Sequence, residues 1–332
     1  MNDQLIKTVE DTYGLSILSF DILQKTPRTH VAKINTIQRK YVLKRMYITE
    51  SRLRFILQIE AFLREQNINI PQIIQTKENR PYFLLEGYPC ILQEWISGEV
   101  FQFSLDQSIQ QIGNLLGKMH VLSLGFHSST DDTAMLESSM WENEYQDTLK
   151  YMVKWANLMK NTQNPKKTII LESIDFFINT GKELEKQIIH HPYHAIWKKK
   201  PLHEHYLSHG DFQPKNILMS SPEWCIIDWE FARHDFPSRD CMEIIYKMTS
   251  YENRWDSEKF NIFLSSYLSQ NQLTNQELSF FYLDFAFPHY YGRFLKNWRY
   301  TKMSTREIRE FIKREQEKTN YMLQQFKIIN LL

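Results

Sequence analysis

Glycine is scarce in this chain: there are 9 in 332 residues, where ordinary usage near ~7% would place about 23. A nucleotide site cradled by a run of glycines is hard to build from so few, because close backbone approach to phosphates favours residues without a Cβ. Cysteine is scarce too. Cys90, Cys225 and Cys241 are odd in number and widely spaced, which excludes a disulfide framework and a paired zinc knuckle and points to reduced thiols in a cytoplasm-like compartment. An excess of either charge is missing, since 40 Lys+Arg against 39 Asp+Glu leave +1. Nucleic acid is therefore not an expected partner, because sequence-independent binding needs surplus cations. Long apolar runs are missing as well. Leu278 to Tyr291 contains Asp284 and Pro288, falls short of the ~20 residues of a membrane span, and reads as a buried helix. Asp3, Glu10 and Asp11 interrupt the apolar core that a secretory signal would need. Repeats, low-complexity tracts and Gly/Ser linkers are not found.

What remains is a globular balance, 42% hydrophobic and 24% charged, sufficient for a sizeable core. At roughly 100–200 residues per domain the length suggests two lobes or one large domain. The first 95 residues favour strands: Ile17 to Phe20, Val31 to Ile34, Tyr41 to Lys44, Tyr82 to Leu85 and Ile91 to Glu94 are short β-rich runs between turn signals. One helix interrupts them, from about Arg52 to Gln66, with Phe55, Ile56, Ile59, Phe62 and Leu63 at helical spacing. From residue 105 helices dominate. Ile109, Ile112, Leu116 and Met119 form one stripe, Trp141, Tyr145, Leu149, Met152, Ala156 and Met159 a second, and Ile170, Ile174, Phe177, Gly181, Leu184 and Ile188 a third. The loop Asn161 to Lys167, with Pro165, suggests a helical hairpin between the last two. The pattern predicts an α+β architecture: a small β-rich N-terminal lobe with one key helix over residues 1–96, and a large, mainly helical C-terminal lobe over residues 97–332.

The chemistry concentrates in residues 207–230, LSHGDFQPKNILMSSPEWCIIDWE. His209, Gly210 and Asp211 are followed by Asn216, five residues after Asp211, and by Asp228 twelve further on. Between them two apolar runs, Ile217 to Met219 and Cys225 to Ile227, flank Ser220, Ser221, Pro222 and Glu223, which is hairpin punctuation. A hairpin folded symmetrically about Pro222 sets Asn216 opposite Asp228, with Cβ atoms ~4.5–5.5 Å apart. One carboxylate and one amide oxygen at that separation suit Mg²⁺. Asp211, on the loop just before, would then act on a second substrate. Phosphoryl transfer asks for these parts, metal ions on the phosphates and a carboxylate that accepts or orients the hydroxyl proton. Loop caps and solvated turn residues are the plainer account of His209 and the aspartates, but three spaced polar positions between two strand-like runs favour the catalytic one.

These spacings resemble the catalytic loop and metal-binding turn of the protein-kinase-like fold, in the branch that phosphorylates small molecules and reads H-G-D. The broader resemblance, over nearly the whole chain, is to the aminoglycoside phosphotransferase and choline kinase-like superfamily. It implies ATP and Mg²⁺ as cofactors, His209 and Asp211 on the catalytic loop, Asn216 and Asp228 on the metal, and Lys44, which ends the run Tyr41-Val42-Leu43, on the phosphates. Glu60 lies four residues after Ile56 and three before Leu63, on the buried flank of its helix, where an unpaired carboxylate is costly; a Lys44–Glu60 pair would satisfy it. Residues Leu92-Gln93-Glu94-Trp95-Ile96-Ser97-Gly98 look like the hinge segment between lobes, so the backbone at Gln93, Glu94 and Trp95 would meet adenine; a strand-to-helix linker is the alternative. The resemblance has Asp240 buttress the catalytic loop, although an N-terminal cap would look the same. His120, in Gly117-Lys118-Met119-His120, reads as structural.

The turn between the first two strands, which in this fold carries small residues around the phosphates, is here Gln24-Lys25-Thr26-Pro27-Arg28-Thr29-His30, without glycine. Lys25, Arg28 or Thr29 would have to supply side-chain contacts instead. The stretch Asp284-Phe285-Ala286-Phe287-Pro288-His289-Tyr290-Tyr291 and the helix end Leu116 to His120 resemble the spore-coat-associated CotS/YutH branch of endospore-forming bacteria. That implies a sporulation protein made in the mother-cell cytoplasm and deposited on the spore coat, with coat proteins as partners. Two readings follow: an ATP- and Mg²⁺-dependent phosphotransferase acting on a hydroxyl of a small-molecule acceptor, or a catalytically silent, kinase-shaped component of the coat. A third, a metal-binding protein, starts from six of the 11 histidines falling between positions 190 and 209. Pro192 disfavours the continuous helix that would pair His190 with His194, and solvated loop histidines are the simpler expectation. Lys296 to Lys318, with Glu310 and Arg314 four apart, reads as a solvated helix.

Overall fold

Alternating apolar residues in the first hundred positions form an antiparallel sheet, as the strand signals predict. The computed structural model describes residues 2–103, 106–129, 141–220 and 223–331. Strands β1 (Ile17–Lys25), β2 (Thr29–Thr36), β3 (Lys40–Met46), β4 (Ile73–Ile74), β5 (Phe83–Leu85) and β6 (Tyr88–Glu94) run in the order β1-β2-β3-β6-β4, with β5 on β6; β7 (Glu99–Val100) follows. Helix α2 (Glu50–Glu65) starts at Thr49, whose side chain accepts from the Arg52 amide, and buries Leu53, Phe55, Ile56, Ile59 and Leu63. A helix that the strand-dominated reading misses, α1 (Asn2–Tyr13), precedes the sheet. Its Leu5, Val9 and Tyr13, spaced by four, pack on Ile34, Tyr41, Leu43, Cys90 and Leu92. Side chains alternate across a strand, so with Tyr41 and Leu43 under α1, Lys44 points to the opposite face.

The chain continues through α3 (Asp106–Ser123), α4 (Trp141–Met159), α5 (Pro165–Ile189), α6 (Pro192–Lys199), β8 (Leu207–Ser208), the hairpin β9 (Ile217–Ser220) and β10 (Glu223–Ile226), β11 (Arg233–His234), α7 (Ser238–Glu252), α8 (Ser257–Gln270), α9 (Asn275–Ala286), α10 (His289–Lys296) and α11 (Thr305–Ile329). Two compact units result. One comprises Met1–Phe101, His127–Ala134 and Pro214–Ala232; the other comprises Gln102–Phe126, Met135–Gln213 and Arg233–Leu332. Residues 207–230 are thus shared between them, with the His209-Gly210-Asp211 loop in the helical unit and the β9–β10 hairpin in the sheet unit.

In the helical unit the predicted stripes are buried, except that α4 turns Trp155 inward in place of Ala156 and Met159. Asn164 caps α5 by accepting from the Lys166 and Lys167 amides, and Pro165 opens the helix. Helix α3 lies hard against α8: a Cβ at Gly117 would come within 2.5 Å of the Tyr267 carbonyl oxygen. The aromatic stretch expected as one buried helix is two, because Pro288 ends α9 and α10 begins at His289. Helix α11 buries Ile308, Phe311, Ile312, Arg314 and Met322 rather than lying solvated. Glu310 pairs with Arg306 at 2.7 Å instead of Arg314, which is buried beside Glu315. His194 and His205 are buried too, and among the described residues no group of three or more His, Cys, Asp or Glu side chains could hold a metal ion. Among them no helix is long and apolar enough to cross a membrane.

Candidate active site

In the sheet unit, the register of β3 sets Lys44 between Val31 of β2 and Ile91 of β6. Its ammonium donates to Asp228 Oδ1 at 2.5 Å. Burial pulls the Lys44 ammonium toward a lower pKa, but the Asp228 carboxylate outweighs it by charge and by hydrogen bond, and Glu60 and Glu230 add to the effect, so the net shift is upward. Glu60 is 3% exposed. Its direct partner is Arg64, one turn along α2 at 3.5 Å, rather than Lys44, whose ammonium is engaged with Asp228. Burial pushes the Glu60 carboxyl up, against the opposing pull of Arg64 and Lys44.

The β9–β10 hairpin pairs Ser220 with Glu223 and Ile217 with Ile226. That register leaves two residues, Ser221 and Pro222, to connect the strands; both lie outside the described residues. Symmetry about Pro222 would need a three-residue loop, and two-residue connections are favoured in hairpins. The register therefore slips by one. The Ile227 amide donates to the Asn216 carbonyl at 3.0 Å, so Asn216 faces Ile227 and Asp228 comes one step later. Asn216, 2% exposed, closes the short turn Pro214–Asn216. Asp228 leaves the hairpin with φ of 70° and ψ of 56°, a left-handed conformation uncommon outside glycine and frequent at functional sites.

The stretch after Asp228 is fastened to its own unit. Arg52 of α2 donates to the carbonyls of Glu230 and Ala232 at 2.9 and 2.7 Å. Thr29 Oγ1 donates to Glu230 Oε2 at 2.6 Å, and the Arg28 guanidinium lies over the Phe231 ring at 5.3 Å. Sequence reasoning missed Arg52 and Glu230, although the acidic residue two places after Asp228 was a visible signal. It also missed Thr26. In the glycine-free turn, Thr26 Oγ1 accepts from the amides of Arg28 and Thr29 at 3.2 and 3.0 Å, and the Thr26 amide donates to the Thr29 carbonyl at 3.0 Å. This is a Ser/Thr turn, in which a hydroxyl takes the place of a backbone acceptor.

At the end of β6, Gln93 is buried between Val42 of β3 and Ile73 of β4. The Glu94 amide donates to the Gln72 carbonyl at 3.0 Å and the Trp95 amide to the Lys40 carbonyl at 3.1 Å. Two amides of the segment whose backbone was expected to meet adenine, those of Glu94 and Trp95, are thus engaged within the sheet unit. The Lys33 ammonium stands 4.6 Å from the centre of the Trp95 ring.

In the helical unit, β8 pairs with β11 and delivers the loop His209-Gly210-Asp211. Asp240, in the first turn of α7, does not cap its own helix. Its two oxygens accept from the amides of His209 at 2.7 Å and Gly210 at 2.9 Å. Gly210 sits at φ of 77°, a conformation that a Cβ would strain. The Asp211 amide donates to His209 Nδ1 at 3.2 Å, and Gln213 Nε2 donates to Asp211 Oδ1. His120, fully buried, lies 3.3 Å from Asp240 through Nε2 and 2.8 Å from Tyr267 Oη through Nδ1. Burial pushes the Asp240 carboxyl up, but the hydrogen bond and charge of His120, with His209, outweigh it and hold it below its ordinary value. His120 is structural, as expected, and Asp240 is a buttress rather than a cap. Lys44, Glu60, Asn216 and Asp228 are thus gathered in one unit, and His209 and Asp211 in the other.

This architecture is the protein-kinase-like fold, and residues 29–276 match the APH phosphotransferase enzyme family, to which the chain belongs. A crystal structure of aminoglycoside phosphotransferase from Alicyclobacillus acidocaldarius is similar over 99% of this chain and 96% of its own, with a TM-score of 0.78 and 16% identity. An amicoumacin kinase in complex with AMP-PNP, Ca²⁺ and Ami is similar over 96% of this chain and 93% of its own, with a TM-score of 0.66 and 14% identity. Spore coat protein S of Bacillus subtilis (strain 168) is 20% identical over 331 residues, 96% of this chain and 93% of that protein.

Proposed function

We propose that the chain is an ATP- and Mg²⁺-dependent phosphotransferase acting on a hydroxyl of a small molecule. The observation that carries this reading is the Lys44–Asp228 ion pair, which joins a phosphate-binding cation to a metal-binding carboxylate from 184 residues away. The donor set fits the metal, since the Asp228 carboxylate and the Asn216 amide oxygen are hard ligands that leave positions for water and phosphate. Bound there, Mg²⁺ would neutralise charge on the phosphates. Lys44, kept protonated by its neighbours, holds phosphate oxygens, and Glu60 adds negative charge that keeps it so. Gln93, Glu94 and Trp95 meet the adenine end through carbonyl and side-chain atoms, because the amides of Glu94 and Trp95 are engaged. Asp211 accepts or orients the hydroxyl proton, on a loop that His209 and Asp240 hold in shape. In this reading residues 1–96 bind nucleotide and 97–332 carry the catalytic loop. The bound AMP-PNP of the amicoumacin kinase supports the nucleotide, and the likeness to spore coat protein S supports a place on the spore coat, to which this reading adds synthesis in the mother-cell cytoplasm and contact with coat proteins.

A specific observation favours a second reading, a catalytically silent coat component: the amides of Arg28 and Thr29, at the turn that would cover the phosphates, are bonded to Thr26. Chemical denaturation in Mg-ATP separates the two. At 100 times its Kd, Mg-ATP should add about 2.7 kcal/mol to the wild type and nothing to Asp228→Ala. An unchanged wild type would leave only the silent reading.

A further inference from the structure

Asp284 and His289, on either side of Pro288, meet in the interior of the helical unit. Asp284 accepts from Tyr145 Oη at 2.6 Å, from His289 Nε2 at 3.0 Å and from the Ser238 hydroxyl, and lies 3.5 Å from Arg239 Nε. Burial lowers the His289 pKa against the opposing pull of Asp284 and Glu144, and in the neutral imidazole, with Nε2 donating to the Asp284 carboxylate, Nδ1 is an acceptor. Among the described residues that Nδ1 finds no hydrogen-bond partner, and neither does Arg239 Nε, though both residues are more than nine-tenths buried. Their nearest charged neighbours stand off at 3.8 Å, Glu144 from Nδ1, and 3.5 Å, Asp284 from Nε. Leaving a buried polar atom unsatisfied costs about 1–3 kcal/mol.

Both residues line a cavity of about 80 Å³ together with Glu144, Glu243, Arg293 and Gly210, the residue before Asp211. Arg239 donates to Glu144 at 3.0 Å. Arg293, with its side chain 43% exposed, gives Nη1 to Glu243 at 2.5 Å, its one side-chain hydrogen bond among the described residues. A guanidinium presents a planar fork of donors that matches a carboxylate or phosphate. The cavity is well below the ~300–1,000 Å³ of drug-sized sites. The wall carries three guanidinium groups, Arg233, Arg239 and Arg293, against two carboxylates, Glu144 and Glu243, a balance that disfavours a cationic acceptor such as an aminoglycoside or choline.

We propose that this cavity is the acceptor subsite and takes a small dihydroxylated oxyanion, a hydroxy acid or a phosphorylated polyol. Its anionic group docks on Arg293 and Arg239, one hydroxyl donates to His289 Nδ1, and a second lies toward the Gly210-Asp211 loop. This rests on the phosphotransferase reading for the step itself. The second hydroxyl oxygen bonds to the γ-phosphorus of ATP as the bond from that phosphorus to the bridging oxygen breaks; ADP leaves with the electron pair, and the hydroxyl proton passes to Asp211.

Calorimetric titration of the full chain with glycerate, glycerol 3-phosphate, glycerol and choline tests the proposal without turnover. At least one of the two oxyanions should bind saturably and tenfold or more tighter than glycerol and choline, and the tighter of the two identifies the anionic group. Arg293→Gln should weaken the oxyanion at least tenfold, with Arg293→Lys between it and the wild type. Glu243→Gln, which releases Arg293 Nη1, should tighten it, and serves should Arg293→Gln not fold. Glycerol or choline binding as tightly as the oxyanions, no saturable binding by any probe, or wild-type affinity in Arg293→Gln would overturn the proposal. Stabilisation by Mg-ATP without oxyanion binding would sink the subsite alone. Oxyanion binding without stabilisation by Mg-ATP would sink the phosphotransferase reading and leave the subsite.

Discussion

The His209-Gly210-Asp211 loop and the β1–β2 turn solve the same local problem, what to do with backbone amides outside regular structure, in opposite ways. At His209 and Gly210 a carboxylate from elsewhere in the chain, Asp240, takes both amides and fixes the loop that carries Asp211. At Arg28 and Thr29 the turn takes its own amides through Thr26. A charged acceptor that is itself buried and supported by His120 makes a rigid platform. A hydroxyl two or three residues away makes a tight turn that has already used the groups a phosphate would need. The glycine shortage thus has a local structural counterpart, a threonine-closed hairpin in place of an open phosphate cover.

Substitutions at these two places should sharpen the contrast or break it. The largest effect is expected from Asp240→Ala, which leaves two loop amides and His120 without their acceptor; urea denaturation should show a loss of about 3–5 kcal/mol, and any phosphotransfer should vanish with it. Thr29→Val removes a bond to a charged acceptor in a partly buried place and should cost about 1.5 kcal/mol by the same measurement, loosening Glu230 rather than the helical unit. Thr26→Gly should cost only about 1 kcal/mol, the ordinary net worth of a neutral hydrogen bond. It also frees the Arg28 and Thr29 amides, so Mg-ATP titrated calorimetrically should bind up to about tenfold tighter, equivalent to ~1.4 kcal/mol; unchanged affinity would mean that the threonine is not what withholds them. The smallest effect is a pH trend at Glu60. Its carboxyl is shifted upward in the folded protein, so between its ordinary value near 4.5 and the raised one the native state holds more protons than the unfolded state, and stability falls as pH rises. Wild-type denaturation midpoints should therefore decline relative to Glu60→Gln as pH is raised from 4.5; a parallel pair of curves would argue that Glu60 is not desolvated.

Much of this was legible in the sequence because it depends on local periodicity. The strand runs, the α3 and α5 stripes and the helical hairpin follow from spacings of two and of three to four, and the two helical stripes are buried on the side the pattern gives. Helix α1 carried the same signal, Leu5, Val9 and Tyr13, but polar residues between them masked it. The hairpin could be located but not registered, since one residue of loop length decides whether Asn216 faces Ile227 or Asp228. Pairings between distant side chains were the least legible. Lys44 chose Asp228 over Glu60, and Arg52 reached Glu230, through tertiary geometry that no spacing encodes. Asp240 was foreseen as either buttress or cap, and only the direction of its carboxylate decided between them.

Amide hydrogen exchange at Arg28 and Thr29, followed with and without Mg-ATP, addresses the contrast most directly. Slow exchange in the free protein, little changed by Mg-ATP, is expected, because Thr26 holds both groups in either state. Fast exchange in the free protein that becomes slow with Mg-ATP would contradict it, and would show the turn's own backbone taking up the phosphates.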